Sequence, residues 1–199
     1  MKETGSIKFN CEWIKTEPLS YSVLSGLNQW RDKLYNLNLL GENEDGIGYG
    51  NISMRYKKNT FIITGSATGK FEQLNEKHYT VVAKYNLDTN SLTTKGPILA
   101  SSESMTHAVI YETLAAANSV MHVHHYALWE KLLQTNPSTA KHVEYGTPAM
   151  AREIQRLLKE SNPLQVKLFA MGGHQEGIIA FGNTIDQAGC LIVNALNSL

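Results

Sequence analysis

From Ser20 to the C-terminus, apolar residues repeat with a helical period in four segments and with a strand period between them, and this interleaving most restricts the fold. Val23, Leu27, Trp30, Leu34 and Leu37 recur at three- and four-residue spacing between Ser20 and Leu39, with Gly41 as the expected stop. Ser104 to Ala117 carries His107, Ile110, Leu114 and Ala117 on one face. Thr147-Pro148 reads as an N-cap and first-turn proline ahead of Met150, Ile154, Leu157 and Leu158, a stripe that ends before Pro163. Thr184 and Gln187 have capping-box spacing and open a last helix with Ile185, Ala188, Ile192 and Ala195 inward. Between these lie β-rich runs at Ile52 to Tyr56, Phe61 to Thr64, Tyr79 to Leu87, Val120 to His124, Val166 to Met171 and Ile178 to Phe181. Such an order predicts a mixed sheet with helices packed on its faces. The 199 residues are expected to form a single domain over 1–199, with 1–19 as an N-terminal extension.

Lysine plus arginine equals aspartate plus glutamate, 18 against 18, so no net field draws the chain to nucleic acid or anionic lipid, and a small molecule is the expected partner. Met1 to Asn10 is polar, without the apolar stretch of a signal peptide, and no segment approaches the roughly 20 apolar residues that span a bilayer. A cytoplasmic location is expected. The two cysteines, Cys11 and Cys190, lie far apart, which argues against a disulfide framework; Cys190 falls in a helical apolar pattern and is expected to be a buried small hydrophobe.

His122 and His124 are one residue apart in an apolar β pattern, and the period of two turns both rings to one face. His174 stands in the turn Gly172 to Gly177, where backbone freedom lets a ring be aimed. Three neutral imidazoles with an open fourth position are the usual catalytic zinc arrangement, although the spacing alone equally allows ordinary hydrogen-bonded histidines. The ordinary reading is the one for His125, on the opposite strand face, and for His78 and His142 among polar neighbours.

Ser101-Ser102-Glu103 directly precedes the helix leading to the His-Val-His strand. One serine can cap that helix, and its N-terminus favours an anion. Glu103, on the same face as His107, reads either as an acid or base near the cation or as a first-turn carboxylate that complements the dipole. Gly50-Asn51-Ile52-Ser53 and Thr64 to Lys70 read as phosphate cradles with exposed amides and hydroxyls, or as plain turns. The second lacks nucleotide P-loop spacing, and Gly46 to Gly50 lacks the dinucleotide fingerprint.

In this order, Gly50-Asn51-Ile52-Ser53, Ile63-Thr64-Gly65-Ser66, Ser101-Ser102-Glu103 with His107 and Tyr111, His122-Val123-His124 and Gly173-His174 make the chain resemble the class II aldolase/adducin family over roughly residues 20 to 198. The resemblance implies a three-layer α/β fold whose central, mainly antiparallel sheet has helices on both faces. It implies a homotetramer with active sites between neighbours. It also implies a divalent ion, zinc above all, on His122, His124 and His174, with Glu103 as catalytic acid/base and a substrate phosphate on Asn51, Gly65, Ser66, Ser101 and Ser102. The implied function is that of a lyase acting on a small phosphorylated ketose through a stabilised enediolate, with retro-aldol cleavage the simplest case.

Only 49 residues separate His124 from His174, fewer than in the family's sugar-phosphate aldolases, and the shortened part includes the segment that supplies a tyrosine as second proton carrier. Tyr126, Tyr145 and Glu176 are the candidates to replace it. Epimerase, dehydratase or decarboxylase chemistry on the same scaffold, a non-catalytic adducin-like interaction module and a zinc hydrolase are the rival readings.

Overall fold

The computed structural model describes residues 9–161 and 166–199, and Pro163 falls outside them. In chain order the described elements are β1 (Asn10–Lys15), α1 (Tyr21–Asn36), β2 (Gly41–Glu42), β3 (Gly48–Tyr49), β4 (Asn51–Arg55), β5 (Phe61–Thr64), β6 (Tyr79–Asn86), β7 (Ser91–Gly96) and α2 (Ser104–Thr113). There follow β8 (Ser119–His124), α3 (Tyr126–Thr135), α4 (Pro148–Glu160), β9 (Leu168–Ala170), β10 (Gly177–Gly182) and α5 (Ile185–Leu196).

Eight of these strands form one sheet in the order β1-β7-β6-β5-β4-β8-β10-β9, antiparallel throughout except for the parallel pair of β1 and β7 at one edge. Period-two alternation splits each central strand between two cores. Phe61, Ile63, Val120, Ile179 and Phe181 face α2 and α4, with Ala108, Ile110, Ile154 and Leu157 opposite them. Ile62, Met121, Val123, Ile178 and Ala180 face the other way, toward Leu24, Leu27 and Leu34 of α1, Leu128 of α3 and Ile192 of α5. Helices therefore cover both faces of a mainly antiparallel sheet, the expected three-layer α/β arrangement. Among the described residues, no helix is long and apolar enough to cross a membrane.

Several local expectations are revised. The first helix stops at Asn36, three residues early, because Asn38 takes a left-handed conformation (φ 57°) and the Leu39 N–H returns to the Leu34 carbonyl; Asn38, not Gly41, ends it. Helix α2 ends at Thr113, and its N-cap is Glu103 with no side-chain cap. The Ser101 hydroxyl instead accepts from the Glu103 N–H, and its carbonyl accepts from Ser104. Thr147 and Thr184 do cap α4 and α5 through their hydroxyls, with Gln187 reaching back to the Asn183 N–H, one residue beyond a true capping box. Cys190 is exposed, since Ala188 and Ile192 define the inner face of α5 and a residue midway between them points outward. Strands β1 and β7 and helix α3 are additions to the sequence reading.

Two glycines give opposite expectations. A Cβ on Gly189 in α5 would come within 2.2 Å of the Trp30 ring, whereas one on Gly26, exposed in α1, meets nothing within 4 Å. Gly189→Ala is expected to cost about 1–3 kcal/mol by overpacking, and Gly26→Ala to gain about 0.5–1 kcal/mol by helix propensity. Denaturant melts of the two variants check the signs.

Candidate metal centre and anion pocket

Strand β8 delivers His122 and His124 to the sheet face that Val120 shares, at the end of the strand where helix cover gives out to a cavity. Their Nε2 atoms lie 3.1 Å apart. His174, on the turn between β9 and β10, brings its ring to 5.0 Å from that of His122 and 4.7 Å from that of His124, centroid to centroid. One ligand nitrogen from each of the three lies within 4.8 Å of the others. All three predicted ligands are thus brought together.

The donor set fits a divalent ion. His122 Nδ1 lies 3.2 Å from the Ile178 carbonyl; as the donor to that oxygen it fixes the tautomer and leaves the Nε2 lone pair facing His124. Two nitrogens sharing a tetrahedral ion at about 2.0–2.1 Å sit roughly 3.3 Å apart, close to the spacing found. Burial keeps His122 down to about 4 despite the Ile178 carbonyl, and burial with the neighbouring His122 keeps His124 down to about 2, so both rings are neutral and carry lone pairs at neutral pH.

The cavity, about 140 Å³, is lined by the three histidines with Asn51, Gly65, Ser66, Ser101, Ser102 and Glu103, so the expected metal ligands, acid/base and phosphate contacts share one cavity. Glu103 is buried, and one of its carboxylate oxygens accepts from the Thr106 hydroxyl at 3.0 Å. Asn51 lies opposite His122 in the β4–β8 register, and its buried Oδ1 has no hydrogen-bond partner among the described residues. Gly50 makes this placement possible: it sits at φ 75°, and a Cβ there would come within 2.3 Å of the Leu40 side chain.

The loop after β5 differs from the expected amide cradle. The Gly65 and Ser66 N–H groups are spent on the carbonyls of His78 and Leu99, so this loop offers the Ser66 hydroxyl to the cavity rather than those two amides. Ser53, the last residue of the Gly-Asn motif, points away and joins His107 Nδ1 (2.7 Å) and the Tyr111 hydroxyl (2.8 Å) in the core. His125 and His78 are structural, each accepting a backbone N–H through Nδ1 (Leu128 and Asn75). Of the three candidates for a second proton carrier, only Tyr145 lines the cavity. The Tyr126 hydroxyl donates to Glu130 at the surface, and Glu176 is a left-handed turn residue (φ 67°).

The sequence reading misses two residues, one lining the cavity and one bracing its wall. Tyr49 lines the cavity, 4.9 Å from the His124 ring. Arg31 is 1% exposed and donates to the carbonyls of Thr68, Gly69, Phe71 and Glu72, which pins the chain that follows Ser66. Its sequence signal is an arginine set into the stripe of Leu27, Trp30 and Leu34, where an unpaired charge would not be buried.

A model of the class II aldolase and adducin N-terminal domain matches residues 37–195. The chain belongs to the class II aldolase and adducin family. Family membership joins the folded geometry to the motifs: the matched region contains the three histidines, Glu103 and the loops at Gly50 and after β5. Among solved structures, the L-fuculose-1-phosphate aldolase from Thermus thermophilus is similar in fold at 20% identity and TM-score 0.64, over 90% of this chain and 91% of its own. The sugar-phosphate aldolase from Thermotoga maritima is similar at 12% identity and TM-score 0.67, over 89% of this chain and 92% of its own. The chain matches no curated protein sequence.

The buried imidazoles make metal-free stability depend on pH. Burial, with His122 nearby, also holds His107 well below the ordinary histidine value. The unfolded chain protonates these rings near pH 6.5 while the folded chain does not, so their contribution is present above that pH and is lost as pH falls below it, down to about 4 for His122 and further for His124. Chelator-treated protein is expected to lose on the order of 3 kcal/mol between pH 7 and 5.5, read from denaturant midpoints. A flat profile would mean that these rings are not held neutral by the fold.

Proposed function

We propose that this class II aldolase family member is a metal-dependent lyase that acts on a small phosphorylated ketose, cleaving it by a retro-aldol reaction through an enediolate. The supporting observation is the convergence of three imidazoles, a buried carboxylate and a group of serine and asparagine side chains on one cavity. We take zinc as the ion, His122, His124 and His174 as its ligands, the cytoplasm as the location and a homotetramer as the assembly.

A divalent ion in that site supplies a Lewis acid that stabilises negative charge developing on the oxygens of the ketose. The chain's own residues do the rest. Asn51, Ser66, Ser101 and Ser102 hold the phosphate, chiefly through the hydroxyls and the Asn51 amide, beside the uncapped N-terminus of α2. As the carbon–carbon bond breaks, the carbinol hydroxyl beside it gives up its proton to cavity water and becomes the aldehyde, and Glu103 delivers a proton to the enediolate carbon to form the hydroxymethyl group of the ketone; in the reverse direction it takes that proton back. Held by Thr106 Oγ1 through one oxygen, its carboxylate is fixed in orientation.

Incubation of the zinc-loaded protein with dihydroxyacetone phosphate in deuterated water is expected to exchange one hydroxymethyl proton. Glu103→Gln should slow that exchange by about 10²–10⁴-fold while zinc content stays unchanged. A wild-type protein that binds zinc and folds, yet neither binds nor exchanges this ketose, would argue instead for a non-catalytic interaction module or another reaction on the scaffold.

A further inference from the structure

The three histidines are not held alike. His122 and His124 sit in a central strand paired on both sides, whereas His174 rides on a turn that begins with Gly172 and Gly173. Its position is set by a second piece of chain, residues 138–145, laid against that turn. Ser138 bridges to Ala170, the Thr139 N–H donates to the Ala170 carbonyl, and the Thr139 hydroxyl accepts from the Gly172 N–H at 2.9 Å. The fit leaves no space for side chains: a Cβ on Gly172 would lie 2.2 Å from the Thr139 carbonyl oxygen, and one on Gly173 would lie 1.7 Å from that of Val143. The far end of the segment presents Tyr145, whose ring stacks on His174 with centroids 3.9 Å apart and planes 19° from parallel. From within its own turn the imidazole is confined as well, since a Cβ on Gly177 would come within 2.9 Å of His174 Cγ.

We propose that Tyr145 is a positioning residue for the third ligand: the stacked ring and the segment that carries it hold the His174 imidazole where its nitrogen meets those of His122 and His124. The inference rests on the metal reading of the three histidines and adds a residue from outside them. The contact with His174 is made by the face of an aromatic ring, so phenylalanine should serve and an aliphatic side chain of similar bulk should not. Tyr145 is 40% exposed at the cavity rim, so its truncation leaves the two cores intact.

Cobalt(II) binding to the metal-free protein, followed by competition with a chelator and by the visible d–d spectrum, tests this. Tyr145→Phe is expected to bind within about twofold of wild type with the same spectrum. Tyr145→Leu and Tyr145→Ala should bind at least tenfold more weakly, in the range seen when supports of metal ligands are removed, with an altered spectrum and an unchanged melting temperature of the metal-free protein. Wild-type affinity and spectrum in both aliphatic variants would overturn the positioning role while leaving the metal site standing. Failure of the wild-type protein to bind cobalt, or retention of its full affinity in His122→Ala, would overturn the metal reading itself and this inference with it.

Discussion

Two imidazole nitrogens 3.1 Å apart, with a third ring within 5.0 Å, form the contact on which the rest of the site depends. Burial depresses the basicity of His122 and His124, so the fold holds two neutral, desolvated imidazoles side by side rather than two hydrated cations. The surroundings suit a metal ion: the Ile178 carbonyl orients His122, and a buried carboxylate stands on the same cavity wall.

The sheet sets that geometry through register. Asn51 faces His122 across β4 and β8, while His122 is paired with Ile179 of β10 on its other side, so one strand position ties the polar wall to the histidine pair. The outer walls come from loops that are themselves braced. Arg31 gathers four carbonyls beneath the loop after β5, and residues 138–145 close over the turn that carries His174. Strands β4 and β8 carry Asn51 and the histidine pair, loops carry His174 and Ser66, and buried side chains of the framework hold those loops still.

Much of this was readable in the sequence because it depends on local periods. The strand period put His122 and His124 on one face, the cap and proline at Thr147-Pro148 marked α4, and the order of the short motifs led to the family. What escaped depends on partners distant in the chain. Strand β1 has five of its six residues exposed or nearly so and is placed only by its parallel pairing with β7, and Asn38 ends α1 through a left-handed turn that a following glycine seemed to explain better. The amides of Gly65 and Ser66 looked available until their carbonyl partners, His78 and Leu99, were brought beside them by the fold. Tyr145 belonged to a set of three candidates that sequence spacing alone does not separate; in the fold it is the one of the three that lines the cavity, stacked on His174.

The claim beneath all of this is that one ion sits among the three histidines. X-ray absorption at the zinc edge, on protein loaded with one equivalent of zinc, measures it most directly. Three imidazole nitrogens at about 2.0–2.1 Å, with one or two oxygens completing the shell, is the predicted result. A shell of oxygens alone, or of two or fewer imidazoles in protein that is otherwise folded, would contradict it.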